Sequence, residues 1–371
     1  MASPGSCLRW IMPTSGSASW QRAEIYDCKP DGNGWLDFSA RMKNVQLILS
    51  RTVDGHTAYT KKAMNAEEII LVTGAAGFIG RHVCDRLTQG GVAFLGIDHH
   101  LPLHAGSELR ACDISDTEAV VQLFRQYAVG VVIHLAAVLP SAARSDPAAA
   151  TRVNVTASTQ LLEAAVRAGV RRFAFASSMS VYGSWGNKHV FREDDATGPV
   201  DLYGMAKRYV EVYGELLSNQ GALSFVALRI AGVVGAGAHS ATSAWRSEIF
   251  EKLGTGAPQK VVLPFHQDST LSLVHVEDVA DMLVLLAQQE NLRWPIYNTP
   301  AENWPIQDLK RSLQALDPNI SVDLPSVNGK PAPALSDGAR FSAELGYSLG
   351  PLQARFARAV LRPVPEQKTK A

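Results

Sequence analysis

The stretch ILVTGAAGFIGRHV, Ile70 to Val83, constrains this chain more than any other. A run of β-branched and apolar residues breaks at Gly74-Ala-Ala-Gly77-Phe-Ile-Gly80 and resumes in helix-forming residues. A buried strand that turns on glycine straight into a helix is the opening unit of a parallel α/β sheet. Glycine permits the tight turn and lets backbone approach a pyrophosphate at the helix amino terminus, where free N–H groups and a partial positive charge face outward. Three glycines alone also fit an ordinary strand–helix corner, so their meaning depends on the rest of the chain.

From Ile69 onward the chain alternates. IILVTG reads as a strand and FIGRHVCDRLTQGG as a helix ended by glycine. VAFLGID is the next strand, and SDTEAVVQLFRQYA is a helix with Ser115 or Asp116 as its N-cap. GVVIHLAA is an almost wholly apolar strand, and ATRVNVTASTQLLEAAVRAG a long helix stopped at Gly169. RRFAFASS, DLYGMAKRYVEVYGELLSNQG and LSFVALRIAGVVG continue as strand, helix and strand. Apolar strands separated by helices predict a parallel sheet covered on both faces, a doubly wound Rossmann-type α/β fold. After Gly235 the alternation loosens, with helices near 243–253, 277–289 and 305–316, which predicts a smaller C-terminal lobe for substrate.

This pattern sets the expected organisation. Residues 67–235 form the dinucleotide-binding domain, with 271–300 returning to it. Segments 236–270 and 301–362 form the lobe, and 363–371 a tail. Residues 1–66 carry no sustained apolar period and are rich in Ser, Gly and Pro at their start, so they read as a poorly ordered extension. VQLILSRTV within them is a candidate short strand, and Met64 a candidate alternative start.

Composition excludes several classes. Lys+Arg and Asp+Glu are both 35, so net charge is zero and no nucleic-acid partner is expected. No run of 18 uncharged apolar residues occurs, so no membrane-spanning helix is expected. The four cysteines form no CxxC pair and lie near no His at ligand spacing, so the expectation is reduced thiols, a cytoplasmic location and no metal.

Asp98 ends the second strand, where a carboxylate accepts from both adenosine ribose hydroxyls and repels a 2′-phosphate; NAD is therefore the expected cofactor. Asp113 and Ile114 follow the third strand, where an acid accepts from the adenine amino group and the apolar neighbour packs on the ring; a plain helix-start acid is the competing reading. Tyr203 and Lys207 are the one Tyr-x-x-x-Lys pair and share a helix face. A nearby ammonium, with a bound nicotinamide's charge, lowers the phenol's proton affinity toward neutrality. Ser177 and Ser178 stand one strand upstream, where a hydroxyl reaches the substrate oxygen.

Together, GAAGFIG, Asp98, Asp113-Ile114, HLAA, Asn154-Val155, SSMSVYG and Tyr203-x-x-x-Lys207 resemble the extended short-chain dehydrogenases/reductases, the group that contains NAD-dependent sugar epimerases and dehydratases. LVHVEDVADML and AELGYSLGPL resemble its closing segments, so the resemblance spans roughly 68–360. It implies Ser178 as the catalytic hydroxyl, Tyr203 as acid/base and Lys207 as the ribose-binding, tyrosine-tuning residue. It implies Gly74, Gly77, Phe78, Ile79 and Gly80 as the pyrophosphate loop, and Leu135, Ala136 and Ala137 as cofactor-lining backbone. Asn154 matches a position near the cofactor, or else serves backbone groups inside the fold.

The chain departs from the family at informative places. Met179 and Ser180 stand where dehydratases carry an Asp-Glu pair, so dehydration is not expected. Gly232 replaces a frequent Asn, and the Arg often found before HVxDV is missing, which weakens the anchoring of a sugar nucleotide. A smaller carbohydrate-type substrate, such as a sugar acid, lactol or polyol, fits these departures. Arg144, Arg246 and Arg340 are candidates for holding an anionic group, and Trp185 and Trp245 for stacking on a sugar. The expected activity is NAD-dependent oxidation of a carbinol. An epimerase that keeps its cofactor is the alternative, and a non-catalytic NAD-binding protein the alternative of another class. A homodimer through the helix YGMAKRYVEVYGELL is also expected.

Overall fold

A computed structural model describes residues 6–10, 23–27, 68–103, 106–183, 189–238, 244–325 and 329–361. The chain divides into two units, Met1–Lys61 and Lys62–Ala371. In the first, β1 (Ser6–Trp10) and β2 (Ala23–Asp27) pair antiparallel. The other residues read above as an extension, the strand suggested in VQLILSRTV, the tail 363–371 and Trp185 lie outside the described residues.

The second unit opens with β3 (Ile69–Thr73), α1 (Phe78–Gln89), β4 (Phe94–Asp98), β5 (Leu109–Ala111), α2 (Thr117–Gln126) and β6 (Val129–His134). Three helical pieces continue the chain: α3 (Pro140–Ser145), α4 (Pro147–Thr151) and, after a π-helical turn at Arg152–Ala157, α5 (Ser158–Ala168). Next come β7 (Arg172–Ser178), β8 (Val190–Phe191), α6 (Leu202–Asn219), β9 (Ser224–Ile230) and β10 (Gly232–Val234). The remainder comprises α7 (Trp245–Lys252), β11 (Gln259–Val262), β12 (Thr270–His275), α8 (Val276–Gln288), β13 (Ile296–Asn298), β14 (Glu302–Pro305), α9 (Ile306–Leu316), β15 (Ile320–Asp323), β16 (Leu335–Ser336), α10 (Ala339–Leu345) and α11 (Leu352–Val360).

Seven strands form one sheet in the order β13-β9-β7-β6-β3-β4-β5, every pair parallel. Alternate residues of each strand serve opposite faces, as the two-residue period of a strand requires. Ile70, Val72, Ile133 and Ala174 pack with Val83 and Leu87 of α1 and Met282 and Leu286 of α8. Leu71, Val132, Phe173 and Phe175 pack with Val120 of α2, Leu161 and Leu162 of α5 and Val210 of α6. Strand order reverses between β3 and β6, and such a reversal opens a crevice at the carboxyl ends of the strands.

The lobe has its own core, built from Trp245, Ile249, Phe250, Leu271, Leu273, Ile306, Leu309 and Phe356. Its strands form separate sheets: β10-β12-β14, and β11 with β15. LSFVALRIAGVVG is therefore two strands rather than one. Ala231 N donates to Thr299 Oγ1, the chain leaves the large sheet, and Gly232 starts the pairing with β12. The expected long helix at 150–169 is interrupted by its π turn, which places the buried Asn154 side chain against Val138.

Beneath the crevice, His134 is fully buried between Thr73 Oγ1 (2.7 Å) and Ser158 Oγ (3.0 Å) and stacks on Phe175. Burial, helped by the Lys207 charge, pulls its pKa down to about 3. An unfolded histidine takes up its proton near pH 6.5. Between those pH values the unfolded chain binds a proton that the native chain refuses, so stability falls as pH falls. Each such group contributes a slope of up to about 1.4 kcal/mol per pH unit. His275, lowered to about 4 chiefly by burial, adds to the loss. The melting temperature should therefore drop from pH 6.5 to 5, and His134→Asn should flatten that drop. An equally steep profile in the variant would remove His134 as its source.

Candidate active site at the strand carboxyl ends

Gly74 lies at φ +68°, a left-handed conformation that favours glycine. A Cβ there would stand 2.7 Å from Ala136 N, so the loop rests on the Leu135–Ala136 backbone. Those two amides in turn approach Thr73 Oγ1 at 3.2 Å each. The expected strand GVVIHLAA ends at His134 because Leu135 to Ala137 form this wall. A Cβ on Gly80 would lie 2.0 Å from Gly74 O, which fixes glycine where α1 meets its strand. Gly77 caps α1 with no side-chain partner and no acid in the first turn, leaving the helix amino terminus open to an anion. Phe78 and Ile79 are half-buried at the start of α1.

Asp98 stands at the end of β4 and belongs to the same device. Its Oδ2 accepts from Ala76 N at 3.1 Å, and its Oδ1 lies 2.9 Å from His99 Nδ1. The glycine cradle, the open helix start and this acid fit a dinucleotide. Asp113 is exposed and accepts from Ser115 N at 2.8 Å, a bond that lowers its pKa, while Ile114 is buried. Asp116 makes the N-cap bond of α2 to Ala119 N. Asn154 spends its amide on Val138 N and O, so it braces the loop after β6.

Ser178 ends β7 and caps a 3₁₀ turn at Met179–Tyr182, its Oγ accepting from Ser180 N and donating to Ser180 Oγ. Asp201 caps α6 by accepting from Gly204 N at 2.7 Å, and Tyr203 and Lys207 follow. A Cβ on Gly204 would lie 2.5 Å from Ser180 O. Glycine at 204 therefore lets the first turn of α6, with Tyr203, close onto the turn that Ser178 starts. Lys207 is buried, donates to Ala176 O at 2.7 Å, and sits 4.5 Å above the Phe175 ring and 5.5 Å from the Tyr203 ring.

The electrostatics differ from the sequence expectation. Burial raises Tyr203 to about 12, and the cation opposing that rise is Arg246 rather than Lys207. Burial lowers Lys207 to about 7, opposed by Glu211. Glu211 is a site residue that sequence reading missed. It is fully buried one turn beyond Lys207, accepts from Ser177 Oγ at 2.5 Å, and pairs with Arg229 at 2.9 Å. Its spacing, four residues after Lys207 and eight after Tyr203, was a usable signal.

The other candidates separate. Arg144 is exposed on α3. Arg340 is held by Asp194 and Glu193, so its charge is already paired and it is not a free cation. Trp245 is a core residue set edge-on against Phe265, not a platform for sugar. At Gly232 a Cβ would stand 2.7 Å from Ser272 O, so neighbouring backbone leaves no room for a side chain there.

A seven-stranded parallel sheet, a glycine turn backed by a strand-end acid, and a Ser, Tyr and Lys set at the strand ends define a Rossmann-type protein of the short-chain dehydrogenase/reductase kind. The family model for the NAD dependent epimerase/dehydratase family matches residues 70–298, more than half the chain, and the chain belongs to that family. It is 34% identical over 177 residues to a UDP-glucose 4-epimerase of Azospirillum brasilense, covering 45% of this chain and 49% of that protein. The chain spans about half the length of the curated relatives it matches. The structure of MoeE5 in complex with UDP-glucose and NAD is 28% identical, with a TM-score of 0.65 over 79% of this chain and 97% of the other. A GalE-like L-threonine dehydrogenase from Cupriavidus necator, at 17% identity, shares the fold with a TM-score of 0.71 over 80% and 100% of the two chains.

Proposed function

We propose that the chain is an NAD-dependent oxidoreductase acting on a carbinol of a sugar or sugar acid. The observation that carries this reading is the bond from Lys207 to Ala176 O, on the strand that Ser178 ends, with its Nζ 5.5 Å from the Tyr203 ring. Gly74, Gly77 and Gly80 would hold the pyrophosphate, Asp98 the adenosine ribose, and Lys207 the nicotinamide ribose. The nicotinamide, when bound, accepts the carbinol hydride. Ser178 holds the carbinol oxygen, and Tyr203 takes its proton as general base. Met179 and Ser180 supply no acid or base for dehydration.

An epimerase is the second reading, favoured by the likeness to the UDP-glucose 4-epimerase of A. brasilense. The two diverge in cofactor handling, because an epimerase must hold its cofactor through the cycle. The test is nicotinamide released on denaturing the purified chain, followed by NADH formation with aldoses and sugar acids. Bound cofactor at near-unit stoichiometry favours the epimerase. Empty protein that reduces added NAD favours the dehydrogenase. A chain that neither carries nor binds NAD would sink both.

The protein acts in the cytoplasm as a homodimer in this reading. Among the described residues no helix is long and apolar enough to cross a membrane. Leu202, Met205, Tyr209, Val212 and Leu216 expose an apolar stripe on α6, each close to half exposed or more. A second copy of α6 would cover it. Sedimentation that finds monomer at all concentrations would remove the dimer.

A further inference from the structure

Thr73 and His134 end β3 and β6, the strands between which the sheet order reverses, and they are paired in register. His134 Nδ1 lies 2.7 Å from Thr73 Oγ1, and its Nε2 lies 3.0 Å from Ser158 Oγ. None of the three residues is more than 1% exposed, so they must satisfy one another. Their protons follow by counting. Thr73 Oγ1 accepts from Leu135 N and Ala136 N at 3.2 Å each, which fills its lone pairs. Its own proton is left to donate, and among the described residues the acceptor within reach is His134 Nδ1. A proton on Nδ1 would meet an oxygen whose lone pairs are filled, so the ring proton sits on Nε2. That N–H donates to Ser158 Oγ, and Ser158 donates on to Val153 O at 3.2 Å. The bonds from Thr73 to Val153 run in one direction, with each group used. Burial, which disfavours a charged imidazole, agrees with a single ring proton.

We propose that His134 is a positioning residue for NAD: as the Nε2–H tautomer it keeps the Thr73 hydroxyl aimed at the Leu135 and Ala136 amides, and so fixes the wall on which the pyrophosphate turn rests. Leu135 N also reaches Thr73 O, whereas Ala136 N has the hydroxyl alone among the described residues. Ala136 N is also the atom a Cβ on Gly74 would meet at 2.7 Å, so a shift of this wall is felt by the turn. The far end of the row is Val153, in the π turn Arg152–Ala157. The same turn carries Asn154, which accepts from Val138 N at 2.7 Å and donates to Val138 O at 2.8 Å. The wall is held at Leu135 and Ala136 through His134 and at Val138 through Asn154, and both supports stand on one turn. Without the imidazole the Thr73 proton has no acceptor, the hydroxyl turns, and Ala136 N loses its partner. NAD binding then includes the cost of ordering the wall. The role depends on the cofactor and not on the substrate, so it goes beyond the carbinol reading.

The test uses the full chain, with NAD affinity from equilibrium titration and stability from denaturation of the same proteins. Thr73→Val and His134→Phe should each weaken NAD binding about tenfold, the order expected when a buried donor loses its acceptor. The double variant should also lose about tenfold rather than a hundredfold, because both changes disable one device. Thr73→Ser keeps the hydroxyl and His134→Asn keeps an acceptor for it, so each should bind NAD within about threefold of the parent. Histidine nitrogen NMR of the parent reads the tautomer even if a variant does not fold, and should show His134 with a bare Nδ1 and a protonated Nε2. A protonated Nδ1 overturns the proposal. So do Thr73→Val and His134→Phe proteins that lose stability yet bind NAD as the parent does, or single losses that multiply in the double variant. A parent that binds no NAD would fall together with the oxidoreductase reading. Parent-like NAD binding in every variant strikes this proposal alone.

Discussion

Tyr203→Phe should lower turnover by about a thousandfold and leave NAD affinity within a few-fold of the parent, because a positioned acid/base contributes about 10²–10⁴. The phenol is half-buried and makes no hydrogen bond to a described residue, so removing its oxygen disturbs little else. Burial holds it near pKa 12 in the free protein, and the Arg246 charge works against that. The oxidation rate of the parent should therefore rise with pH through the alkaline range, as the phenol becomes able to accept a proton. The variant's residual rate should lack that rise. Turnover within tenfold of the parent, with the same pH profile, would assign proton transfer to another group.

The second large effect concerns Glu211. Glu211→Ala should destabilise the fold by about 3–5 kcal/mol, the cost of leaving a buried charge without its partner. The stranded group is Arg229, whose side chain is 3% exposed and which offers both Nε and Nη2 to Glu211. Total stability of a domain is about 5–15 kcal/mol, so the loss is visible as a large shift in denaturation midpoint. Glu211→Gln keeps an acceptor and should fall between. Glu211 also opposes proton loss from Lys207, so the alanine variant should move the Lys207 titration to lower pH. A midpoint shift worth less than about 1 kcal/mol would mean that water reaches Arg229 and replaces the carboxylate.

These two residues mark how much was legible in the sequence. Tyr203 and Lys207 announce themselves by spacing, and the glycine turn by its place between a strand and a helix. Glu211 reads as a solvated acid in a helix, because its partner Arg229 is 18 residues away on a strand. β7 and β9 set Ser177 beside Arg229, and only that register brings Ser177, Glu211 and Arg229 together. Trp245 and Arg340 were open because core packing and ion pairing are long-range facts. The split at Ala231 was hidden because an unbroken apolar run has no internal sign of where it changes sheets. Asn154 was half visible: its type suggested a polar task, and the π turn that aims it at Val138 was not.

Asp98 carries a consequence for how this protein can diverge. The carboxylate that would face the ribose also accepts from Ala76 N inside the phosphate turn. A mutation to a basic or apolar residue, which has no acceptor, would therefore loosen the turn as it removes the negative charge. In this chain the group that would select the cofactor also braces the loop that would hold it, so only a replacement that keeps an acceptor for Ala76 N leaves the turn intact.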